Sequence, residues 1–477
     1  MFFFDFNEST LRDSIAFETY VYNAIKLYLQ EQNKTILIRE SDDYDAILPE
    51  GIDEIEGPVY LEIKYFNSPG KNVYFQSIMS FSGRMNKVDN GNVLLILGTN
   101  VSENSINSMK TIFCGRCNKN IEIWTLDVFN EKTKKYREEN FTEIKNPNTL
   151  VIDAAINKER DIQTEKSTRD LLINGLKNKY DNQEVVLFLG AGVSIESGIP
   201  LWGDLVNNLL AKMIVNRLKE SKLSEEKLNK IISLASNNQE ASSITQMRYI
   251  RSAFDTNEYN KLVHDALYSN NIKINSGLLK ALSLLCAPTR TKVGIRGIVT
   301  YNFDDILEKK LKKDKIETVT IYDEHGESSP EKLSIFHVHG YLPHNKVDDI
   351  ENPQLIFSEE DYHKVYTDAY CWSNIVQLNY LRENTCLFIG CSLNDPNLRR
   401  LLDVAARGTE KPKHYAIMKR PKIMNSKDID KEDVLLYQQI DMGIKEKSFS
   451  SMGLNIIWVD EYKEIVDILK YIKKQNS

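Results

Sequence analysis

Between residues 8 and 32 the apolar positions Leu11, Ile15, Tyr22, Ile25 and Leu29 recur every three or four residues, which predicts one amphipathic helix. Glu18 falls on the same stripe. The period then shortens. TILIRE (35–40), YDAIL (44–48) and VYLEIKYF (59–66) predict short strands, a helix is predicted over 73–87, and NVLLILG (92–98) and IEIWTLDV (121–128) predict buried strands. Strands alternating with helices make this stretch a small α/β unit. Residues 150–182 are polar and lysine-rich at helical spacing, so a solvated linker helix is expected, with a domain boundary near 160 that divides the chain into 1–160 and 161–477.

Apolar runs resume at VVLFLG (185–190) and return at GIRGIVTYN (294–302), LSIFHVHG (333–340), CLFIGCSL (386–393), KHYAIMK (413–419) and GLNIIWV (453–459). Each lies between helical or polar stretches, the pattern of a Rossmann-like α/β fold with a doubly wound, mostly parallel sheet. A length of 477 residues suits two or three domains.

Charge and cysteine usage narrow the classes. Lys+Arg 61 against Asp+Glu 68 gives −7, so no global attraction to nucleic acid is expected. No apolar run approaches the ~20 residues that span a bilayer. MFFFDFNEST lacks the basic and small-residue features of a signal peptide, so no membrane association is expected. Six cysteines in so long a chain argue for a reducing cytoplasm rather than a disulfide framework. Cys114 and Cys117 form the sole CxxC, with no histidine before His264; a free dithiol or packing pair is expected rather than a metal site.

Gly190-Ala191-Gly192 ends an apolar strand. Without a Cβ, such a turn brings backbone N–H groups close to a pyrophosphate, and a following helix adds its positive end. The third glycine of a dinucleotide fingerprint is replaced by Ile195, so a plain strand–helix turn is the alternative. Three further elements follow in order: Thr300-Tyr301-Asn302-Phe303-Asp304, Val338-His339-Gly340 and Phe388-Ile389-Gly390-Cys391-Ser392-Leu393. With Gly190 to Ser194, Ser197 to Pro200 and Trp202, the set resembles the nucleotide loop, T-x-N-x-D element, catalytic His-Gly and G-x-S-L turn of the sirtuin family, over roughly 165–460. The resemblance implies NAD+ as substrate. It places Gly190, Gly192 and Ser194 on the phosphates and Gly390 and Ser392 on the adenosine side. Ala191, Pro200, Trp202 and Asp304 complete the binding set. Asn302 would orient water or ribose hydroxyls and His339 would take a proton. The chemistry agrees: cleaving the nicotinamide–ribose bond passes through an oxocarbenium-like state and releases a neutral amide. The site therefore needs a positioning amide and a base titrating near neutrality, and no acid. Asn302 could instead cap a helix. His337 shares a strand face with His339, and His325-Gly326 lies in a polar loop and is set aside.

Sirtuin deacylases carry a zinc ribbon of two CxxC pairs after the His-Gly. Here residues 340–385 hold only Cys371, so no zinc is expected. HVHGYLP, LIFSEEDY and SLNDPNLRRLL instead resemble the sirtuin-type effectors of bacterial anti-phage systems, which implies hydrolysis of NAD+ to nicotinamide and ADP-ribose. An NAD-dependent protein deacylase and an NAD or ADP-ribose sensor are the alternatives.

In the first domain Asp45 and Glu62-Ile63-Lys64 put two carboxylates and a lysine within reach of one site, enough to hold Mg²⁺ and activate water, with Glu18 and Gln76 completing the pocket. The arrangement resembles the PD-(D/E)xK fold of Mrr-like restriction endonucleases over roughly 8–135, implying a Mg²⁺-dependent DNA nuclease or a DNA-sensing relic; ordinary surface charge on a half-exposed strand is the alternative. Two-domain chains of this kind resemble the sirtuin-like partner of HerA-like hexameric ATPases, which implies a homo-oligomer docked on such an ATPase, with DNA as a further partner.

Overall fold

The computed structural model describes residues 10–38, 43–65, 71–88, 90–135, 162–218, 224–237, 242–269, 271–289, 294–345, 354–407, 409, 411–421 and 431–474. The chain forms two compact units. Unit 1 comprises residues 1–171 with 406–412 and 421–453; unit 2 comprises 172–405, 413–420 and 454–477. The chain thus returns to unit 1 after building most of unit 2, where the sequence suggests one crossing near 160.

Unit 1 opens with the helix Thr10–Glu31, followed by β1 (Leu37–Ile38), β2 (Ala46–Leu48) and β3 (Val59–Lys64) as an antiparallel meander. After the helix Lys71–Met85, β4 (Asn92–Leu97) pairs parallel to β3. The helix Glu103–Cys114 then leads to β5 (Ile121–Trp124), parallel to β4. All six residues of β3 are buried because both sheet faces are covered. Val59, Leu61 and Ile63 face Phe17, Val21 and Ile25 of the first helix, whereas Tyr60 faces Ile78, Phe81 and Met85. The strand predicted over 121–128 stops at Trp124, because Thr125 caps the short helix Leu126–Lys132. The helix Lys431–Ser450 also belongs to unit 1.

Unit 2 is built on β6 (Val185–Leu189), β7 (Ile298–Thr300), β8 (Thr318–Ile321), β9 (Leu333–His337), β10 (Thr385–Ile389), β11 (His414–Lys419) and β12 (Leu454–Val459). They form one sheet in the order β12-β11-β10-β6-β7-β9-β8, every pair parallel. From β6 the chain winds outward through β7 to β9, then crosses back to build β10 to β12 on the other side. The switch lies at β6, and a crevice at the carboxyl ends of its neighbours is where such folds take ligands. The edge strand β8 carries no apolar run: its TVTI is short and only Ile321 is fully buried. Among the described residues, no helix is long and apolar enough to cross a membrane.

Candidate active site

Four loops meet at the switch point. In-register pairing of Leu189 with Thr300 and Ile389, and of Thr300 with His337, brings the ends of β6, β7, β9 and β10 level. Gly190, Asn302, His339 and Gly390 follow directly.

The glycine turn differs from expectation. The chain after β6 makes two short 3₁₀ turns, Ala191–Val193 and Ile195–Ser197, and the next helix starts only at Trp202 (Trp202–Leu218). Its positive end is therefore not at the turn. The N–H of Gly190 donates to Ile389 O at 3.0 Å and that of Gly192 to Gly390 O at 3.0 Å; Val193 and Ser194 donate within the loop. These four N–H groups are spent inside the protein rather than offered to a diphosphate. Glycine is required here because two backbones touch. A Cβ on Gly190 would lie 2.6 Å from Gly390 O, one on Gly192 2.6 Å from Gly390 Cα, and Gly390 itself has φ +69°.

Asn302 is not a helix cap. The N–H of Ile306, which opens the helix Ile306–Lys313, donates to Asp304 Oδ1 at 3.1 Å. Asn302 Nδ2 donates to Ser194 Oγ at 3.3 Å, and Ser194 in turn donates to Asp304 Oδ1 at 3.1 Å. Burial, opposed by these hydrogen bonds, leaves Asp304 with a pKa pushed up to about 6. Ser194 is fully engaged in this chain. Asn302 Oδ1 is buried with no partner among the described residues.

His339 follows β9, and the left-handed Gly340 (φ +107°) closes the turn behind it. Its ring lies 4.8 Å from Tyr301, 5.8 Å from Tyr362 and 6.5 Å from Trp202. Both ring nitrogens are buried without a hydrogen bond, and burial lowers the imidazole pKa against the opposing charge of Asp395. Asp395 Oδ2 stands 3.6 Å from His339 Nε2 and accepts a hydrogen bond from Tyr362. Tyr301 is held by Gln377 at 2.6 Å. His337 does not share this environment: β9 ends at that residue, and its ring packs on Tyr341 instead. Ser392 is exposed, Pro200 is half-buried and Trp202 packs on Phe357 at 4.3 Å. Asp395, Tyr362 and Gln377 escape sequence reasoning. Asp395 sits in SLNDPN, one turn past the glycine element, but only the fold aims it at His339.

In unit 1, Asp45, Glu62 and Lys64 are all buried, which removes the reading of ordinary surface charge. Their oxygens already have cations. Asp45 Oδ1 receives Lys411 Nζ at 2.8 Å and Oδ2 receives the N–H of Ile63 at 2.7 Å. Glu62 Oε1 receives Lys64 at 3.2 Å and Arg84 at 2.5 Å. Burial, reinforced by the charge of Asp45, pushes Glu18 up to about 8. The side chain of Gln76 lies outside the described residues. Mg²⁺ at Asp45 and Glu62 does not fit this arrangement: lysine, arginine and amide donors hold three of the four oxygens, and among the described residues no cluster of three potential ligands is set to hold a metal. Arg84 and Lys411 carry no local signal in the sequence. Cys114 and Cys117 are free thiols, the second buried.

Two known proteins and one domain family resemble stretches of the chain. The chain is 24% identical over 322 residues to the NAD(+) hydrolase ThsA of Enterococcus faecium, covering 64% of this chain and 59% of that protein. It is 21% identical over 311 residues to the NAD(+) hydrolase ThsA of Acinetobacter baumannii (strain 532279), covering 64% and 56%. The chain thus spans under three fifths of the length of these relatives. Residues 296–442, which hold Asn302, His339, Gly390 and Asp395, match the SIR2-like domain family.

Proposed function

We propose that this protein hydrolyses NAD+ to nicotinamide and ADP-ribose as an effector of anti-phage defence. One observation carries the reading: Asn302 Oδ1 and both nitrogens of His339 are buried without partners at adjacent strand ends, beside an aromatic wall. Buried polar groups without partners cost free energy unless a ligand or water satisfies them. Similarity to two NAD(+) hydrolases supports the substrate. The wall of Trp202, Tyr301 and Tyr362 suits a flat nicotinamide ring. Asn302 orients water or ribose hydroxyls at the anomeric carbon. His339, neutral at physiological pH because burial lowers its pKa, takes the proton of the attacking water. Asp395, close to Nε2, favours the imidazolium that results. Gly190, Ala191, Gly192, Pro200, Trp202, Gly390 and Ser392 form the nucleotide-facing rim, and Ser194 and Asp304 hold the Asn302 amide from behind it.

Purified protein with NAD+ and no acylated peptide should release nicotinamide, and Asn302→Ala and His339→Ala should abolish the release. Turnover that requires an acylated peptide would establish a deacylase instead. Intact NAD+ recovered from the protein after incubation would establish a sensor.

A second reading concerns unit 1. Its helix, antiparallel β1-β2-β3 meander, helix and parallel β4 support a restriction-endonuclease-like fold, with Asp45, Glu62 and Lys64 as its catalytic candidates. DNA binding without cutting would support a sensing role, the one that the misfit with Mg²⁺ favours; Mg²⁺-dependent cutting that vanishes in Asp45→Ala and Lys64→Ala would overturn that misfit and establish a nuclease. A HerA-like hexameric ATPase partner and a homo-oligomer rest on the sirtuin-effector resemblance and are tested by co-purification.

A further inference from the structure

His337 has no solvent contact, and both of its ring nitrogens are engaged. Nδ1 lies 2.8 Å from the backbone carbonyl oxygen of Asn302, and Nε2 lies 2.5 Å from Glu308 Oε1. A carbonyl only accepts, so Nδ1 carries a proton. Burial opposes a charge on the ring, but the charge and hydrogen bond of Glu308 together raise the imidazole pKa, which favours a proton on Nε2 as well. A ring that donates at both nitrogens is an imidazolium, paired with Glu308 in a short charge-assisted bond. The titratable groups facing it are Glu308 and Asp304, with the ring of Tyr341 at 4.6 Å, tilted by 60°.

The placement follows from topology. Thr300 and His337 are register partners on β7 and β9, so the first residues past β7 lie over the end of β9. Glu308 stands on the first turn of Ile306–Lys313, the helix that begins just after the Asn302 element. The imidazolium therefore ties the start of that element to the helix at its end. The ring holds only the Asn302 carbonyl; on the side chain Nδ2 is spent on Ser194 and Oδ1 is left for substrate. An unpaired cation here would oppose the positive charge that develops on the ribose, whereas the Glu308 carboxylate makes the pair neutral.

We propose that the His337–Glu308 pair is a positioning device that fixes the backbone of Asn302, so that its amide meets the anomeric centre of NAD+. This role rests on NAD+ hydrolysis as the reaction. His337 does not touch substrate; it acts through Asn302.

Two measurements on the 477-residue chain test it. The first does not depend on activity: nitrogen-15 NMR of the seven histidines. One ring should remain doubly protonated at pH 8 and disappear in His337→Phe. In Glu308→Gln it should become neutral, with the proton on Nδ1. Seven neutral rings at pH 8, or a charged ring that survives His337→Phe, would overturn the pair. The second is nicotinamide release. His337→Phe should lower kcat roughly ten- to hundredfold, on the scale of a misplaced catalytic group, with KM for NAD+ within about twofold. His337→Gln, which restores a donor to the Asn302 carbonyl, should recover part of the loss. Glu308→Gln, which keeps that donor, should lose less than His337→Phe. If His337→Phe fails to fold, His337→Gln and Glu308→Gln decide: a fall in KM affinity with unchanged kcat in both overturns positioning. A wild-type protein that releases no nicotinamide overturns NAD+ hydrolysis itself, and the assigned role with it. A fully active His337→Phe overturns this role alone.

Discussion

Asp304 is a buried carboxyl group, held by Ser194 and by the N–H of Ile306. Its folded pKa of about 6 lies above the ordinary 3.8. The sign follows directly. The protonated form is the stable one when folded, so its contribution is complete below pH 3.8 and is lost as pH rises through about 6. Asp304→Asn keeps the acceptor oxygen and removes the charge. It should raise stability at pH 8 by about 1–3 kcal/mol, with the difference disappearing near pH 4, as read from urea midpoints. His339 has the opposite shift. Its pKa is lowered by burial, and a base must be neutral to act. The acid limb of nicotinamide release should therefore fall below the ordinary imidazole value near 6.5. A limb above that value would remove His339 from the role of base. At this scale Asn302, His339 and Asp304 were singled out by the family resemblance, which runs through short contiguous motifs. Glu308, Asp395 and Lys411 were not, because a charged side chain on a loop or helix reads as solvated until the fold supplies its partner.

Elements interlock at the switch point through glycine rather than through side chains. The turns after β6 and β10 press backbone on backbone, so Gly192→Ala should force both loops apart. A loss of about 1–3 kcal/mol is expected, the usual cost of overpacking, together with loss of nicotinamide release. Gly83, exposed within the helix Lys71–Met85, has open space where a Cβ would stand. Gly83→Ala should gain up to about 1 kcal/mol from helix propensity. Thermal denaturation of the two variants checks the pair, and a destabilised Gly83→Ala with a neutral Gly192→Ala would refute the interlock. The strand cores at 59–64, 92–97, 185–189, 385–389, 414–419 and 454–459 lie within runs visible as apolar-rich sequence, since strands covered on both faces need no alternation. Their ends were less visible. Apolar residues continue past β5 and β10 into a capped helix and a turn, where hydrogen bonding and not hydrophobicity sets the boundary.

The whole molecule has two units, and unit 1 is assembled from chain on both sides of unit 2. Helix Lys431–Ser450 and the turn after it bury Met442, Phe449 and Met452 within it. A fragment starting at residue 172 keeps that segment without the rest of unit 1. It should aggregate or unfold without cooperativity, as checked by size-exclusion chromatography and circular dichroism; a monomeric fragment with a sharp transition would contradict the division. Hydrophobic period and motif order, both local along the chain, determined by themselves the α/β class, the mostly parallel sheet of unit 2 and the placement of Asn302 and His339 at strand ends. Tertiary structure alone decided which charges meet. Lys411 reaches Asp45 across 366 residues and Glu308 reaches His337 across 29. The physical reason is that an ion pair depends on distance in space, and no period of hydrophobicity encodes which distant side chain will arrive.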